Sequence, residues 1–192
     1  MTRLTPGAEP EPTIKSVDDL RYPIGRFEFH GALTDQQRHT AVAAIASAPK
    51  RLRAAVAGLS PAQLDTPYRP EGWTVRQVIH HVPDSHINAY TRFRLALTEP
   101  TPTIKPYEEA RWAELSDART APVEISLALV EALHGRWVLL LEQCRPEEWA
   151  RTLQHPEHGR QMSLDELLAM YAWHGDHHAA HITTLRQRMK WG

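Results

Sequence analysis

The chain has 192 residues and a mass of 21.8 kDa, a size that a single hydrophobic core serves without division. Its 42% hydrophobic and 23% charged residues, with a formal net charge of −1, place it among globular proteins and leave no basic excess for a nucleic-acid partner. The single cysteine, Cys144, excludes an internal disulfide and a thiolate-rich zinc site and points to a reducing cytoplasm; no signal-like start and no apolar run near eighteen residues supports secretion or a membrane partner.

Residues 1–25 carry Pro6, Pro10, Pro12 and Pro23 with little periodicity and read as an extended arm ahead of one domain over 26–192. Asp35 is the expected N-cap of a helix over about 36–58, where Val42, Ile45, Leu52, Val56 and Leu59 recur near helical spacing and Pro49 is expected to introduce a kink. Thr74 and Gln77 form a capping-box pair opening a second helix to about residue 98, with a further break expected at Pro83. The proline-punctuated stretch EPTPTIKPYEE reads as loop, followed by a short helical piece over Glu108–Leu115. A third long helix is expected over Val123–Cys144, on the stripe Leu127, Val130, Trp137, Val138 and Leu141. A fourth follows Ser163, with Glu166 at capping-box spacing, and runs to about Met189. No segment reads as a strand. The expected fold is therefore all-α, a four-helix bundle with an irregular N-terminal arm.

Twelve histidines are present, and seven of them fall within residues 80–86 and 174–181. Each helical residue advances about 100 degrees, so facing can be read from spacing. Relative to His174, the apolar residues Leu164, Leu167, Tyr171, Ile182, Leu185 and Met189 lie at roughly 20 to 80 degrees, and His178 at about 40 degrees lies among them. His174 and His178 are thus stacked one turn apart on the inward face, an arrangement that lets two imidazoles reach one metal ion. His181 shares the direction of His174 two turns further on, His177 sits at the edge of the face, and Gly175 and Asp176 point away. On the second helix, Gln77, His81, Asp84, Ser85 and Asn88 form a polar stripe beside Val75, Val78, Val82 and Phe93. His80 is expected to face solvent, and His86 to be a hydrogen-bonded core residue. Taken singly, each histidine is more commonly structural than metal-binding; an inward pair with a third histidine on a neighbouring polar stripe favours a metal.

Several segments extend this picture: RYPIGRF at 21–27, LDTPYRPEGWTVRQVIHHVPDSHINAYTRFRLALTE at 64–99, LHGRW at 133–137 and WHGDHHAAHITTLRQRMKW at 173–191. On these the chain resembles the DinB/YfiT group of metal-dependent hydrolases, some members of which act as bacillithiol S-transferases. The resemblance implies a four-helix bundle, often a homodimer, with one divalent metal, zinc or nickel, held by His81, His174 and His178. It selects these over His177 and His181, and Gly175 and Asp176 stand where relatives are richer in histidine.

Three neutral nitrogen ligands leave coordination positions open for water or substrate, as catalytic sites require. Asp84, one turn beyond His81, is a candidate orienter or general base, with Ser85 and Asn88 behind it; the alternative is that Asp84 only compensates the break at Pro83. Arg136 is a candidate for binding an anionic substrate or thiol cofactor, or else forms an ion pair with a neighbouring helix. Cys144 reads as packing rather than as a nucleophile, and Trp73 and Trp173 as walls of the pocket. Three functions remain open at this point. They are a hydrolase of a small-molecule amide or ester, an S-transferase using a low-molecular-weight thiol such as bacillithiol or mycothiol, and a noncatalytic bundle stabilised by metal.

Overall fold

Side-chain caps set where most of the long helices begin. The computed structural model describes residues 16–191. It runs in order through α1 (Val17–Arg21), α2 (Asp35–Val56), α3 (Pro61–Leu64), α4 (Val75–Thr98), α5 (Glu109–Trp112), α6 (Ser116–Thr120) and α7 (Val123–Glu142). A short turn of 3-10 helix at Pro146–Ala150, the hairpin β1 (Thr152–His155) and β2 (Arg160–Ser163), and α8 (Leu164–Met189) complete it. Of the expected arm, residues 1–15 lie outside the described residues, and Val17–Arg21 is a short helix capped by Ser16 and Asp19.

Thr74 and Gln77 form the expected capping box at the start of α4, and the Ser163 hydroxyl accepts from the Glu166 amide at the start of α8. The cap of α2 is Thr34, not Asp35: Thr34 and Gln37 satisfy one another's backbone amides, and Asp35 is the first helical residue. Pro49 and Pro83 lie inside α2 and α4, and each helix is continuous past its proline. The segment after residue 108 holds two short helices rather than one, and α7 ends at Glu142.

A four-helix bundle results. Helix α2 packs on α7 and α8, and α4 packs on the same two helices. The antiparallel hairpin between α7 and α8 corrects the expectation that no strand is present; Leu153 and Met162 turn inward from it, and its turn places Gly159 at a φ of +61°. Each strand has only four residues, too few for alternation to stand out in sequence. No helix among the described residues is long and apolar enough to cross a membrane.

The core is divided lengthwise. One apolar cluster gathers Ile45, Phe93, Trp137, Leu141, Leu164 and Leu168, and a second gathers Leu52, Val78, Val82, Val130, Ile182 and Leu185. In α4, α7 and α8 the residues between the clusters are polar: His81, Ser85 and His86, then His134, then His174 and His178. On α2 the same level is occupied by Ala48, and a Cβ added at Gly175 of α8 would lie 3.1 Å from the Ala48 Cβ. Small residues thus bring α2 and α8 close beside a layer of imidazoles.

Candidate metal centre

The three histidines expected to share a metal come together. Ligand nitrogens of His81, His174 and His178 all lie within 4.8 Å of one another, with His81 Nε2 at 3.4 Å and His178 Nε2 at 3.2 Å from His174 Nε2. Nitrogen ligands around a tetrahedral zinc, each about 2.0–2.1 Å from the ion, stand roughly 3.3 to 3.4 Å apart, so the donor set fits a small divalent cation. Helix α8 supplies two donors one turn apart, and α4 supplies the third across the bundle.

Burial keeps the three rings neutral. It lowers His81 to about 4, helped by the nearby His181, and it holds His174 and His178 well below the ordinary histidine value, with the surrounding imidazoles adding to the effect. Among the described residues no ion pair involves these three rings. Neutral nitrogens without a competing carboxylate are suited to ligate a metal.

The cluster forms the floor of a cavity of about 400 Å³. Its aromatic walls are Tyr22, Tyr68, Trp73 and Trp173, and its charged residues are Arg21, Arg69, Glu71 and Glu109. The Trp73 ring lies 4.7 Å from that of His81, and Trp173 stacks on His177 at 4.3 Å. His177 also lines this cavity, and its buried Nδ1 has no hydrogen-bond partner. Glu71 adopts a positive φ of 57°, uncommon for a side-chain-bearing residue. A second cavity of about 510 Å³, lined by Ser85, Arg92, Tyr107, His155 and Tyr171, also reaches His174.

The remaining candidates fall elsewhere. Asp84 does not line the cavity over the histidines; its half-buried carboxyl is pushed up to about 6 by burial and by Asp117 of α6. Arg136 lies on the exposed face of α7 and lines neither cavity around the histidines. Cys144 packs beside the first apolar cluster, and burial pushes its thiol up to about 11. His80 is not solvent-facing: it is buried, with Nδ1 2.7 Å from the Ser126 hydroxyl and Nε2 3.1 Å from the Ala121 carbonyl. The chain around α6 folds over this face of α4, which helical spacing alone does not reveal. Gly175 and Asp176 do turn from the histidine face, but toward α2, where Asp176 pairs with Arg51 at 2.6 Å.

Sequence reasoning missed the contributions of His134, Glu71 and Glu109. His134 stands alone on α7, Glu71 lies in a turn and Glu109 opens the four-residue helix α5, so no spacing pattern marks them.

A helical bundle whose long helices converge three neutral histidines beneath an aromatic-walled cavity defines a class of protein built to hold a metal ion. The chain belongs to the DinB superfamily, whose family model matches residues 44–182. A relative from Bacillus cereus, named "Putative metal-dependent hydrolase", is 51% identical over 175 residues, covering 91% of this chain and 100% of the relative. The solved structure of YfiT from Bacillus subtilis, described as "a probable metal-dependent hydrolase with an unusual four-helix bundle topology", superposes with a TM-score of 0.89 at 45% identity, over 91% of this chain and 99% of that one. The four-helix bundle protein TT2238 shares the fold at 22% identity, with a TM-score of 0.52 over 74% of this chain and 94% of its own.

Proposed function

We propose that this chain is a metal-dependent hydrolase of small molecules that holds one divalent ion, zinc or nickel, with His81, His174 and His178. The observation that carries the reading is the convergence of three neutral imidazole nitrogens at the lining of an aromatic-walled cavity. The names of relatives at 51% and 45% identity support it. A divalent ion held there supplies Lewis acidity, polarising a carbonyl or similar electrophile and acidifying water.

The chain's own residues do the rest. Tyr22, Tyr68, Trp73 and Trp173 flank the substrate and limit its access to bulk water. Glu71 and Glu109 are the carboxylates of this cavity, so proton transfer falls to them rather than to Asp84. Arg21 and Arg69 hold an anionic group of the substrate, and His177 offers it an unpartnered ring nitrogen.

The two arginines favour a second reading, an S-transferase in which they receive a carboxylate of a low-molecular-weight thiol. Elemental analysis of tag-free protein, with turnover of electrophilic esters and amides measured with and without added thiol, separates the readings. About one metal per chain with metal-dependent turnover in the absence of thiol is the expected result. Strict dependence on thiol would replace hydrolysis by transfer, bound metal with no turnover on either panel would leave a noncatalytic bundle, and protein that binds no metal would end the proposal.

A further inference from the structure

Behind the three candidate ligands, further buried histidines continue inward in single file. His174 Nδ1 lies 3.0 Å from His86 Nε2, His86 Nδ1 lies 2.7 Å from His134 Nε2, and His134 Nδ1 lies 2.7 Å from the carbonyl of Ile45. The His86 and His134 rings are nearly parallel, with an interplanar angle of 8°, and both are almost wholly buried. The carbonyl that ends this chain is available for a reason visible in the sequence. An α-helical Ile45 oxygen would accept from the amide four residues on, but that residue is Pro49, which has no N–H.

A second file runs from the other α8 ligand. His178 Nδ1 lies 3.3 Å from His181 Nδ1, and His181 Nε2 lies 3.0 Å from the carbonyl of Arg21. Arg21 is the last residue of α1, where helical carbonyls have no intrahelical donor. Both files therefore start on a backbone oxygen that the local structure has left without its usual partner.

Proton positions follow from these starting points. A carbonyl only accepts, so His134 carries its proton on Nδ1 and a neutral His134 presents a lone pair at Nε2. His86 must then donate from Nδ1 and accept at Nε2, which requires the His174 proton on Nδ1. Three contacts use the three protons of three neutral rings, and His174 Nε2 is left bare. By the same steps His181 donates from Nε2, His178 donates from Nδ1, and His178 Nε2 is left bare. The rings of both files are buried, and among the described residues no carboxylate forms an ion pair with any of them, so nothing beside them holds an added proton. Two lone pairs then face each other across 3.2 Å, an arrangement that neither ring can relieve by a hydrogen bond to the other and that a cation between them can.

We propose that His86, His134 and His181 are positioning residues of the metal centre. The two relays, begun at the Ile45 and Arg21 carbonyls, lock His174 and His178 as the tautomers whose Nε2 lone pairs converge on the ion. Outer hydrogen-bond partners of this kind fix the orientation and raise the basicity of a histidine ligand. The role as a metal centre rests on the function proposed above; the tautomers do not. The short N-terminal helix α1 thereby becomes part of the centre, because its end supplies one of the two anchors.

The test has two independent readouts. Long-range proton–nitrogen NMR of the metal-stripped, full-length wild-type protein should show His174, His178, His86 and His134 protonated on Nδ1 and His181 on Nε2. An Nε2-protonated or averaging His174 or His178 would overturn the proposal, and this readout needs no variant to fold. Metal affinity by chelator competition should fall about 10- to 100-fold in His134→Phe and His181→Phe. It should be largely retained in His134→Gln, whose amide can donate to Ile45 while its oxygen accepts from His86. Unchanged affinity in both Phe variants, or equal loss in His134→Gln and His134→Phe, would also overturn it. A wild-type protein with the expected tautomers but no metal affinity would instead defeat the metal reading.

Discussion

His174 and His178 meet Nε2 to Nε2 at 3.2 Å, one turn apart on α8, at the level where the apolar core of the bundle is interrupted. Replacing one of them therefore tests the centre directly. His174→Ala is expected to abolish stoichiometric metal uptake, measured by elemental analysis after dialysis against the metal, while far-ultraviolet circular dichroism stays that of a helical bundle. Full retention of metal would remove His174 from the donor set.

The buried rings make the metal-free protein sensitive to acid. Folding lowers His81, His134 and His181 from 6.5 to about 4, so between those values the unfolded chain binds more protons than the folded one. Their neutral burial is fully compatible with folding above pH 6.5 and becomes increasingly unfavourable as pH falls toward 4. Each such group contributes a slope of up to about 1.4 kcal/mol per pH unit. Melting temperature in the presence of a chelator should drop steadily from pH 7 to pH 5, and added zinc should oppose the drop while the ligands remain unprotonated. A flat profile over that range would contradict the neutral layer.

The start of α4 should be separable from the chemistry. Thr74→Ala removes one half of the Thr74 and Gln77 capping box and is expected to cost about 1 kcal/mol, seen as a melting point lower by about 2 to 4 °C. Metal stoichiometry should be unchanged, because His81 lies about two turns further along the helix.

Packing on the two faces of the bundle should differ sharply. Ile182→Ala empties a fully buried position in the second apolar cluster and should cost about 2 to 5 kcal/mol by urea denaturation. Leu139→Ala, at a position 65% exposed on α7, should stay within about 0.5 kcal/mol of wild type. A large loss at Leu139 would mean that this face is covered in solution.

Much of this layout is legible from local pattern. The Thr74 and Gln77 spacing marks the start of α4, and the stripe from Leu164 to Leu185 orients α8 so that His174 and His178 face inward. Selecting His81 from its neighbour His80 drew on resemblance as well as on facing. His80 shows where facing fails: helical phase places it outward, yet the chain around α6 returns over it and supplies the Ala121 carbonyl. The hairpin from Thr152 to Ser163 was missed because four-residue strands take their definition from pairing with each other.

The amino-acid sequence by itself determined the helices, their inward faces and the histidine pair on α8, because period and capping are properties of residues within a few positions of one another. Only the tertiary structure decided which distant groups meet. His134 reaches His86 across 48 positions of sequence, and Ile45 across 89, because α2, α4 and α7 pack side by side at one level of the bundle. Asp84 stands outside the cavity, and Glu71 and Glu109 reach it on the segments that precede and follow α4. Contacts of that range depend on how helices pack and on how loops return, and no repeat along a single helix encodes them.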